Sequence, residues 1–323
     1  MSDRSERLFE RARLLIPGGV NSPARAFRSV GGSPRFLVRG AGARVWDEDG
    51  RDYLDYVCAW GPLLFGHAYA PVVDAVTRVA AEGVCFGAPT RLEVEYAEAF
   101  VRLTGWPEQV RVMNSGSEAA AVALRLARGA TGRSLVLKFE GGYHGHADAF
   151  LREQAGAAPG VPASVSQDTI VAGYNDLAGV ERVFERRGRD VAAVFVEPVA
   201  ANMGVVPPKP GFLDGMRHVC SAHGALLVFD EVVTGFRLHA GGASVFYGVK
   251  PDLAVFGKIP GGGLPFGAVA GPRSVMEHLA PAGPVFHAGT FAGNPVTMAA
   301  GLAHLGAIEG TPSLYDRLEE LGT

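Results

Sequence analysis

The chain has 323 residues, enough for about two domains. Hydrophobic residues make up 48% and charged residues 20% of the sequence, a composition that excludes a disordered protein. The formal net charge of −3 provides no basic surface for nucleic acid or an anionic membrane. Apolar runs all fall short of the ~20 residues that span a bilayer. We therefore expect a small-molecule enzyme without nucleic-acid or membrane partners.

The N-terminus and the cysteines predict the compartment. The first residues are charged and amphipathic and lack the apolar core of a signal peptide. Cys58, Cys85 and Cys220 are odd in number and far apart, which favours reduced thiols over a disulfide framework. The sequence therefore predicts a soluble cytoplasmic protein.

The first part of the chain differs in pattern from the remainder. An Asp49-Gly50 pair separates two alternating segments, which is a signal for a β-hairpin. We interpret residues 1–60 as an N-terminal arm with small antiparallel strands, and residues 61–323 as one large domain.

Short apolar runs alternate with helical patterns from about residue 108 onward. Each run is too short for a helix and too continuous for a half-exposed strand, so it predicts a strand buried on both faces. The runs cover residues 134–139, 191–196, 225–229 and 252–256. The clearest helical stretches between them cover residues 118–128 and 212–223. This alternation predicts an α/β fold with a mostly parallel sheet and helices on both faces.

Polar side chains follow the predicted strands. Tyr143 and His144 come after the first run, Glu197 after the second, Asp230 after the third and Lys258 after the fourth. Ligands of open α/β sheets bind beyond the carboxyl ends of the strands. The pattern therefore predicts a cleft that carries these five residues.

The segment Asn114–Glu118 precedes an alanine-rich helix. Ser115 and Glu118 have the spacing of a capping box, and an isolated motif of this kind usually only caps its helix. Here Gly116 and Ser117 also offer backbone N–H groups and a hydroxyl at the positive end of a helix dipole. This segment is a candidate phosphate site.

Asp230 and Lys258 suggest pyridoxal 5′-phosphate (PLP) chemistry. An aspartate can keep the pyridine nitrogen of PLP protonated, and a lysine can bind the cofactor covalently and then transfer protons. Either residue alone is more often a solvated charge. Their occurrence at two strand ends of one predicted sheet favours the PLP site.

A metal site is the competing interpretation. His144, His146 and Asp148 form an H-x-H-x-D run that resembles half of a two-metal hydrolase site. Short motifs of this kind match often by chance, and hydrogen-bonded histidines are the simpler explanation, so we predict no metal.

Several longer motifs resemble one family. In order from residue 17 to 295 the chain contains PGGVNSPARAF, WGPLLFGHA, CFGAPT, NSGSEA, YHGHAD, VEPVAANMGVVPPKPGFL, FDEVVTGFR, FGKIPGGGLPFGA and HAGTFAGNP. The sequence thereby resembles the glutamate-1-semialdehyde 2,1-aminomutases, which are class-III PLP-dependent aminotransferase-like enzymes. The resemblance implies the PLP-dependent transferase fold type I and a homodimer with a shared active site.

The resemblance also implies roles for individual residues. Lys258 is the expected catalytic, Schiff-base lysine, and Asp230 the partner of the pyridine nitrogen. The implied cofactor-binding residues are Ser115, Gly116, Ser117, Tyr143, His144, Glu197, Asn202, Asp230, Val232, Lys258 and Thr290, of which Thr290 would serve the partner subunit's cofactor. Ser22, Arg25 and Trp60 are the expected substrate-binding residues.

The implied reaction converts (S)-4-amino-5-oxopentanoate to 5-aminolevulinate for porphyrin (tetrapyrrole) biosynthesis, through PLP and pyridoxamine-phosphate forms and a diamino intermediate. The segment between Phe150 and Pro162 is shorter than the family's gating loop, and the chain ends at Thr323, where we expect the C-terminal small domain to be absent or truncated. His287 and Phe291 resemble other class-III enzymes. The alternatives are thus an aminotransferase for ω- or β-amino acids and an inactive PLP-binding protein.

Overall fold

The computed structural model describes residues 3–323. By internal contacts the chain divides into two units, Met1–Val73 and Asp74–Thr323. The sequence places the boundary at residue 60 instead. The difference arises because residues up to His67 pack within the first unit: the backbone of His67 pairs with Gly42, and its Nε2 lies 2.7 Å from Oδ2 of Asp55.

The first unit combines one helix with a small antiparallel sheet. Asp3 caps the helix by accepting a hydrogen bond from the backbone N–H of Glu6. The elements are α1 (Arg4–Leu15), β1 (Leu37–Ala41), β2 (Arg44–Asp47) and β3 (Asp52–Leu54). Strand β2 pairs antiparallel with both β1 and β3, which confirms the hairpin at Asp49-Gly50.

The second unit alternates strands and helices. Its elements are α2 (Ala70–Glu82), α3 (Arg91–Thr104), β4 (Gln109–Met113), α4 (Gly116–Thr131), β5 (Leu135–Phe139), β6 (Arg152–Glu153), β7 (Gly156–Ala157), α5 (Ala163–Ser166), β8 (Thr169–Ala172), α6 (Leu177–Arg187), β9 (Val191–Val196), α7 (Phe212–His223), β10 (Leu226–Asp230), α8 (Gly242–Phe246), β11 (Leu253–Gly257), β12 (Gly267–Gly271), α9 (Arg273–Met276), α10 (Pro295–Glu309) and α11 (Leu314–Gly322). The four predicted strands are confirmed as β5, β9, β10 and β11, with ends that shift by at most one residue.

In the described part of the chain, seven strands form the main sheet in the order β4-β12-β11-β10-β9-β5-β8. Strands β8, β5, β9, β10 and β11 pair parallel with one another. Strand β12 runs antiparallel between β11 and β4. The predicted α/β fold with a mostly parallel sheet is therefore confirmed, with one antiparallel strand that the sequence pattern did not reveal.

Helices cover both faces of this sheet. Successive strand residues point to opposite faces, so Val136 and Phe139 of β5 face different helices. Val136 belongs to the apolar cluster around α4, whereas the ring of Phe139 lies 5.5 Å from that of Phe212 in α7. Helices α4 and α7 thus lie on opposite faces, as the alternation predicts.

The register of β12 aligns two strand ends. Gly257 at the end of β11 pairs with Gly267, and Gly267 pairs with Met113 at the end of β4. Lys258 and the start of α4 consequently lie at the same edge of the sheet. The close fit depends on glycine, because a Cβ on Gly267 would overlap the carbonyl oxygen of Ser115.

No helix within residues 3–323 has the length and apolar character needed to cross a membrane.

We predict that Gly267→Ala lowers the free energy of unfolding by about 1–3 kcal/mol, the usual cost of overpacking. Gly306→Ala is the matched control: Gly306 lies on the exposed side of α10 with open space around it, so alanine should stabilise the helix by about 0.5–1 kcal/mol. Urea unfolding measures both. Equal effects of the two substitutions would contradict the close packing at Gly267.

Candidate active site

Lys258 directly follows β11 and adopts a rare backbone conformation. Its φ of 59° and ψ of −102° are unusual for a residue with a side chain. Such strained conformations persist only where the surroundings impose them, and they concentrate at functional sites. Lys258 is partly buried, so its side chain is shielded from part of the solvent.

The surroundings of Lys258 change the pKa of its amino group. Burial lowers the pKa of Lys258 from its usual 10.5, and the carboxylates of Asp230 and Glu197 partly offset this effect. A lowered pKa leaves more of the amine neutral near neutral pH, and the neutral amine is the nucleophile and proton acceptor. The surroundings of Lys258 therefore favour covalent chemistry with a carbonyl compound.

Asp230 ends β10 and lies beside β11. Its Oδ2 is 2.7 Å from Nδ1 of His144, and its Oδ1 accepts a hydrogen bond from the backbone N–H of Val232 at 3.1 Å. Both Asp230 and His144 are buried. The imidazole thus fixes the carboxylate in one orientation toward the cleft.

The other face of His144 is apolar. Its ring packs against the rings of Phe150 and Phe195, at centroid distances of 5.5 and 5.8 Å. Its buried Nε2 has no hydrogen-bond partner in residues 3–323. In that environment an Nε2–H donor would be buried without an acceptor, which costs free energy. The arrangement favours the tautomer in which Nδ1–H donates to Asp230.

Glu197 holds the loop that carries Tyr143. Its Oε1 accepts from the backbone N–H of Tyr143 at 2.9 Å, and its Oε2 accepts from that of Ala201 at 3.0 Å. Burial, followed by the nearby Asp230 carboxylate, raises the pKa of Glu197. The Tyr143 side chain remains half exposed at 51%, and Asn202 follows Ala201 in an exposed turn.

The start of α4 packs closely against neighbouring residues of the sheet edge. Ser115 caps the helix by accepting from the backbone N–H of Glu118 at 3.1 Å. A Cβ on Gly116 would lie 2.9 Å from Cγ2 of Val232. A Cβ on Gly145 would likewise overlap the backbone of Ser117. Backbone N–H groups of Gly116 and Ser117 thus lie at a helix N-terminus that adjoins the ends of β10 and β11.

The structure therefore brings together nine predicted residues within the second unit, whereas the place of the exposed Asn202 in the site stays a prediction. The nine are Ser115, Gly116, Ser117, Tyr143, His144, Glu197, Asp230, Val232 and Lys258. Thr290 is exposed and follows Gly289, whose neighbours include the side chains of Asn114 and Glu118.

The predicted substrate residues belong to the first unit. Ser22 precedes a 3₁₀ turn, Pro23–Ala26, and its carbonyl accepts from the backbone N–H of Arg25. Trp60 lies in a turn in which Cys58, Ala59 and Trp60 all have positive φ, and its side chain is 59% exposed. Their role in substrate binding stays a prediction.

The metal interpretation gains no support from the geometry. His144 directs Nδ1 to Asp230, and His146 is exposed. The part of the chain that the structure describes contains no group of three or more His, Cys, Asp or Glu side chains that could hold a metal ion.

Comparison with known proteins identifies the family of the chain. The profile of the family described as aminotransferase class-III matches residues 27–323. The chain belongs to that family. A glutamate-1-semialdehyde 2,1-aminomutase from Pelotomaculum thermopropionicum is 55% identical over 98% of this chain and 75% of its own length.

Solved structures of class-III enzymes have the same fold. An ω-transaminase from Sphaerobacter thermophilus aligns with a TM-score of 0.93 and 38% identity, over 99% of this chain and 76% of that one. A glutamate-1-semialdehyde aminomutase from Pseudomonas aeruginosa PAO1 aligns with a TM-score of 0.84 and 31% identity, over 94% and 70%. The fold class that the sequence predicts is confirmed.

Sequence reasoning missed the pairing of His144 with Asp230, because 86 positions separate the two residues. It also missed the contact between Gly116 and Val232. One available signal went unused: the chain has only four lysines, Lys138, Lys209, Lys250 and Lys258, and only the last follows a buried strand.

We predict that Asp230→Asn lowers the pKa of Lys258 further in the cofactor-free protein. The Asp230 charge stabilises the protonated amine, so its removal shifts the midpoint of the pH-dependent labelling of Lys258 by an amine-reactive reagent to lower pH. Peptide mass spectrometry measures the labelling. Asp214→Asn, on the exposed side of α7, is the control. An unchanged or higher midpoint for Asp230→Asn would contradict the electrostatic account.

Proposed function

We infer that the chain is a PLP-dependent isomerase, a glutamate-1-semialdehyde 2,1-aminomutase. It converts (S)-4-amino-5-oxopentanoate to 5-aminolevulinate, a precursor in tetrapyrrole biosynthesis. The observation that carries this conclusion is the agreement of several curated aminomutases, which are 52–55% identical to this chain over 94–99% of its length.

The residues at the sheet edge fit PLP. A buried carboxylate, an amine with a lowered pKa and a helix N-terminus with a tight glycine turn match the pyridine nitrogen, the aldehyde and the phosphate of this cofactor. A solved transaminase with a TM-score of 0.93 to this chain has PLP bound, and a variant of the P. aeruginosa aminomutase is in complex with PMP. When bound, PLP supplies the electron sink that labilises bonds at the substrate amine.

We propose that each group has a separate task. Asp230, oriented by His144, would hold a proton on the pyridine nitrogen. Gly116 and Ser117, with the cap at Ser115, would bind the phosphate. Lys258 would bind the cofactor and, once released, its Nζ would carry protons between substrate carbons.

The remaining predicted residues would shape the pocket. Tyr143 and Val232 would contact the two faces of the ring, since Val232 packs against Gly116 and Tyr143 adjoins Glu197. Glu197 has a raised pKa, so its carboxyl group would hold a proton more readily than an exposed glutamate, close to the ring hydroxyl together with Asn202.

We propose that Ser22 and Arg25 bind the substrate carboxylate and that Trp60 borders that pocket. The guanidinium of Arg25 is suited to bidentate recognition of a carboxylate. Ser22 immediately precedes one 3₁₀ turn and Arg25 lies within it, so a single backbone turn presents both side chains.

An aminotransferase acting on ω- or β-amino acids is the second candidate. The ω-transaminase structure aligns with a higher TM-score than that of the P. aeruginosa aminomutase. His287 and Phe291 also resemble residues of such enzymes, and Nε2 of His287 lies 3.4 Å from the Glu118 carboxylate. An aminotransferase would require an oxo-acid acceptor, which an intramolecular mutase does not.

We further propose a cytoplasmic homodimer in which Thr290 serves the partner's cofactor. The exposed aromatic rings of Phe286 and Phe291, at 68% and 60% exposure, flank Thr290 and would be covered in a dimer. The free thiols of Cys58, Cys85 and Cys220 are consistent with a reducing compartment. Sedimentation equilibrium at the monomer mass would refute the dimer.

The aminomutase assignment predicts formation of 5-aminolevulinate from (S)-4-amino-5-oxopentanoate without an added oxo acid. Lys258→Ala should reduce the rate at least about 100-fold, the smaller end of the effect of losing an acid–base group. Lys250→Ala, which alters an exposed lysine, should retain activity. Strict dependence on an oxo acid would contradict the mutase and support the aminotransferase.

A further inference from the structure

Lys138 is a buried lysine for which the reaction has no direct use. It lies within β5, and its side chain is 1% exposed. Lysines are almost never fully buried unless their charge is compensated. The position of Lys138, one residue before the end of β5, places it just behind the loop that carries Tyr143 and His144.

The amino group of Lys138 is fully occupied by one segment of the chain. Nζ donates to the carbonyl oxygens of Phe150 and Arg152, both at 3.1 Å, and to Oε1 of Glu153 at 2.9 Å. Three acceptors match the three donors of an ammonium group. Glu153 is half exposed and supplies the charge that compensates the buried ammonium group. The bonds to the carbonyl oxygens of Phe150, which is buried, and of Arg152, which is partly buried, hold the backbone of this segment.

These bonds fix the backbone on both sides of Leu151 and thereby the position of Phe150. The Phe150 ring is buried against His144, with a centroid distance of 5.5 Å, and against Phe195 at 4.9 Å. His144 in turn bonds Asp230. A continuous series of contacts therefore leads from Lys138 through Phe150 and His144 to the carboxylate at the end of β10.

We propose that Lys138 is a positioning residue for the PLP site, acting on Asp230 through Phe150 and His144. The proposal rests on the proposed function, because it assumes that Asp230 meets the cofactor. By holding the Phe150 carbonyl, Lys138 keeps the aromatic ring against the imidazole and excludes water from Nε2. The His144 tautomer that donates to Asp230 is thereby maintained.

The test compares Lys138→Met with Glu153→Gln. Methionine keeps the length and apolar stem but donates no hydrogen bond, whereas Glu153→Gln removes only the half-exposed charge. Two quantities are measured on the full chain: amide hydrogen exchange of residues 148–158 without cofactor, and PLP affinity by titration of the visible absorption. Neither readout involves aminomutase turnover.

We expect Lys138→Met to accelerate exchange in residues 148–158, to shift the absorption of bound PLP and to weaken PLP binding by roughly 2- to 30-fold, the range of coupling through packed networks. Glu153→Gln should change PLP affinity less than twofold. Wild-type PLP affinity and absorption in Lys138→Met would overturn the proposal and leave Lys138 a structural residue only.

Two further variants keep the proposal testable if Lys138→Met does not fold. Lys138→Gln retains a donor for the carbonyl groups and should give an intermediate loss of PLP affinity. Phe150→Leu removes the ring contact with His144 and should weaken PLP binding while Lys138 still holds the segment. If Phe150→Leu bound PLP with wild-type affinity, the proposed coupling through Phe150 and His144 would be wrong. Normal PLP binding without 5-aminolevulinate formation would instead contradict only the proposed function.

Discussion

The site depends on the pairing of Gly257, Gly267 and Met113 across three strands. This register aligns the ends of β11 and β4, so that Lys258 and the start of α4 lie at one edge of the sheet. Glycine at position 267 permits the approach, because a side chain there would overlap the Ser115 carbonyl. The parallel neighbour β10 brings Asp230 to the same edge, which places a helix N-terminus, an amine and a carboxylate together.

Burial and neighbouring charges together set the pKa values of the groups at this edge. Burial lowers the pKa of Lys258 and raises that of Glu197, while Asp230 opposes the first shift and adds to the second. The same low-dielectric surroundings make an unpaired polar group costly. His144 therefore acts as a fixed donor to Asp230 between aromatic rings, and Lys138 satisfies the carbonyl groups of the segment that carries one of these rings.

Much of the large unit could be predicted because its strands are buried on both faces. The run Val191–Val196 is continuous and apolar, and it forms β9 with the predicted ends. Strand β12, with the sequence GAVAG, has small residues and glycines at both ends, so no local signal marks it. Contacts such as His144 with Asp230 depend on the pairing order of strands, which local patterns do not encode. The unit boundary after Val73 likewise depends on the long-range pairing of Gly42 with His67.

Lys258 is the residue that we propose to carry the cofactor. Borohydride reduction of the PLP-loaded protein makes a lysine-bound cofactor permanent, and peptide mass spectrometry locates it among the four lysines of the sequence. The structure predicts a single modified peptide containing Lys258, since Lys138 is occupied by three acceptors and Lys209 and Lys250 are exposed. Modification at any other lysine, with Lys258 unmodified, would contradict the account.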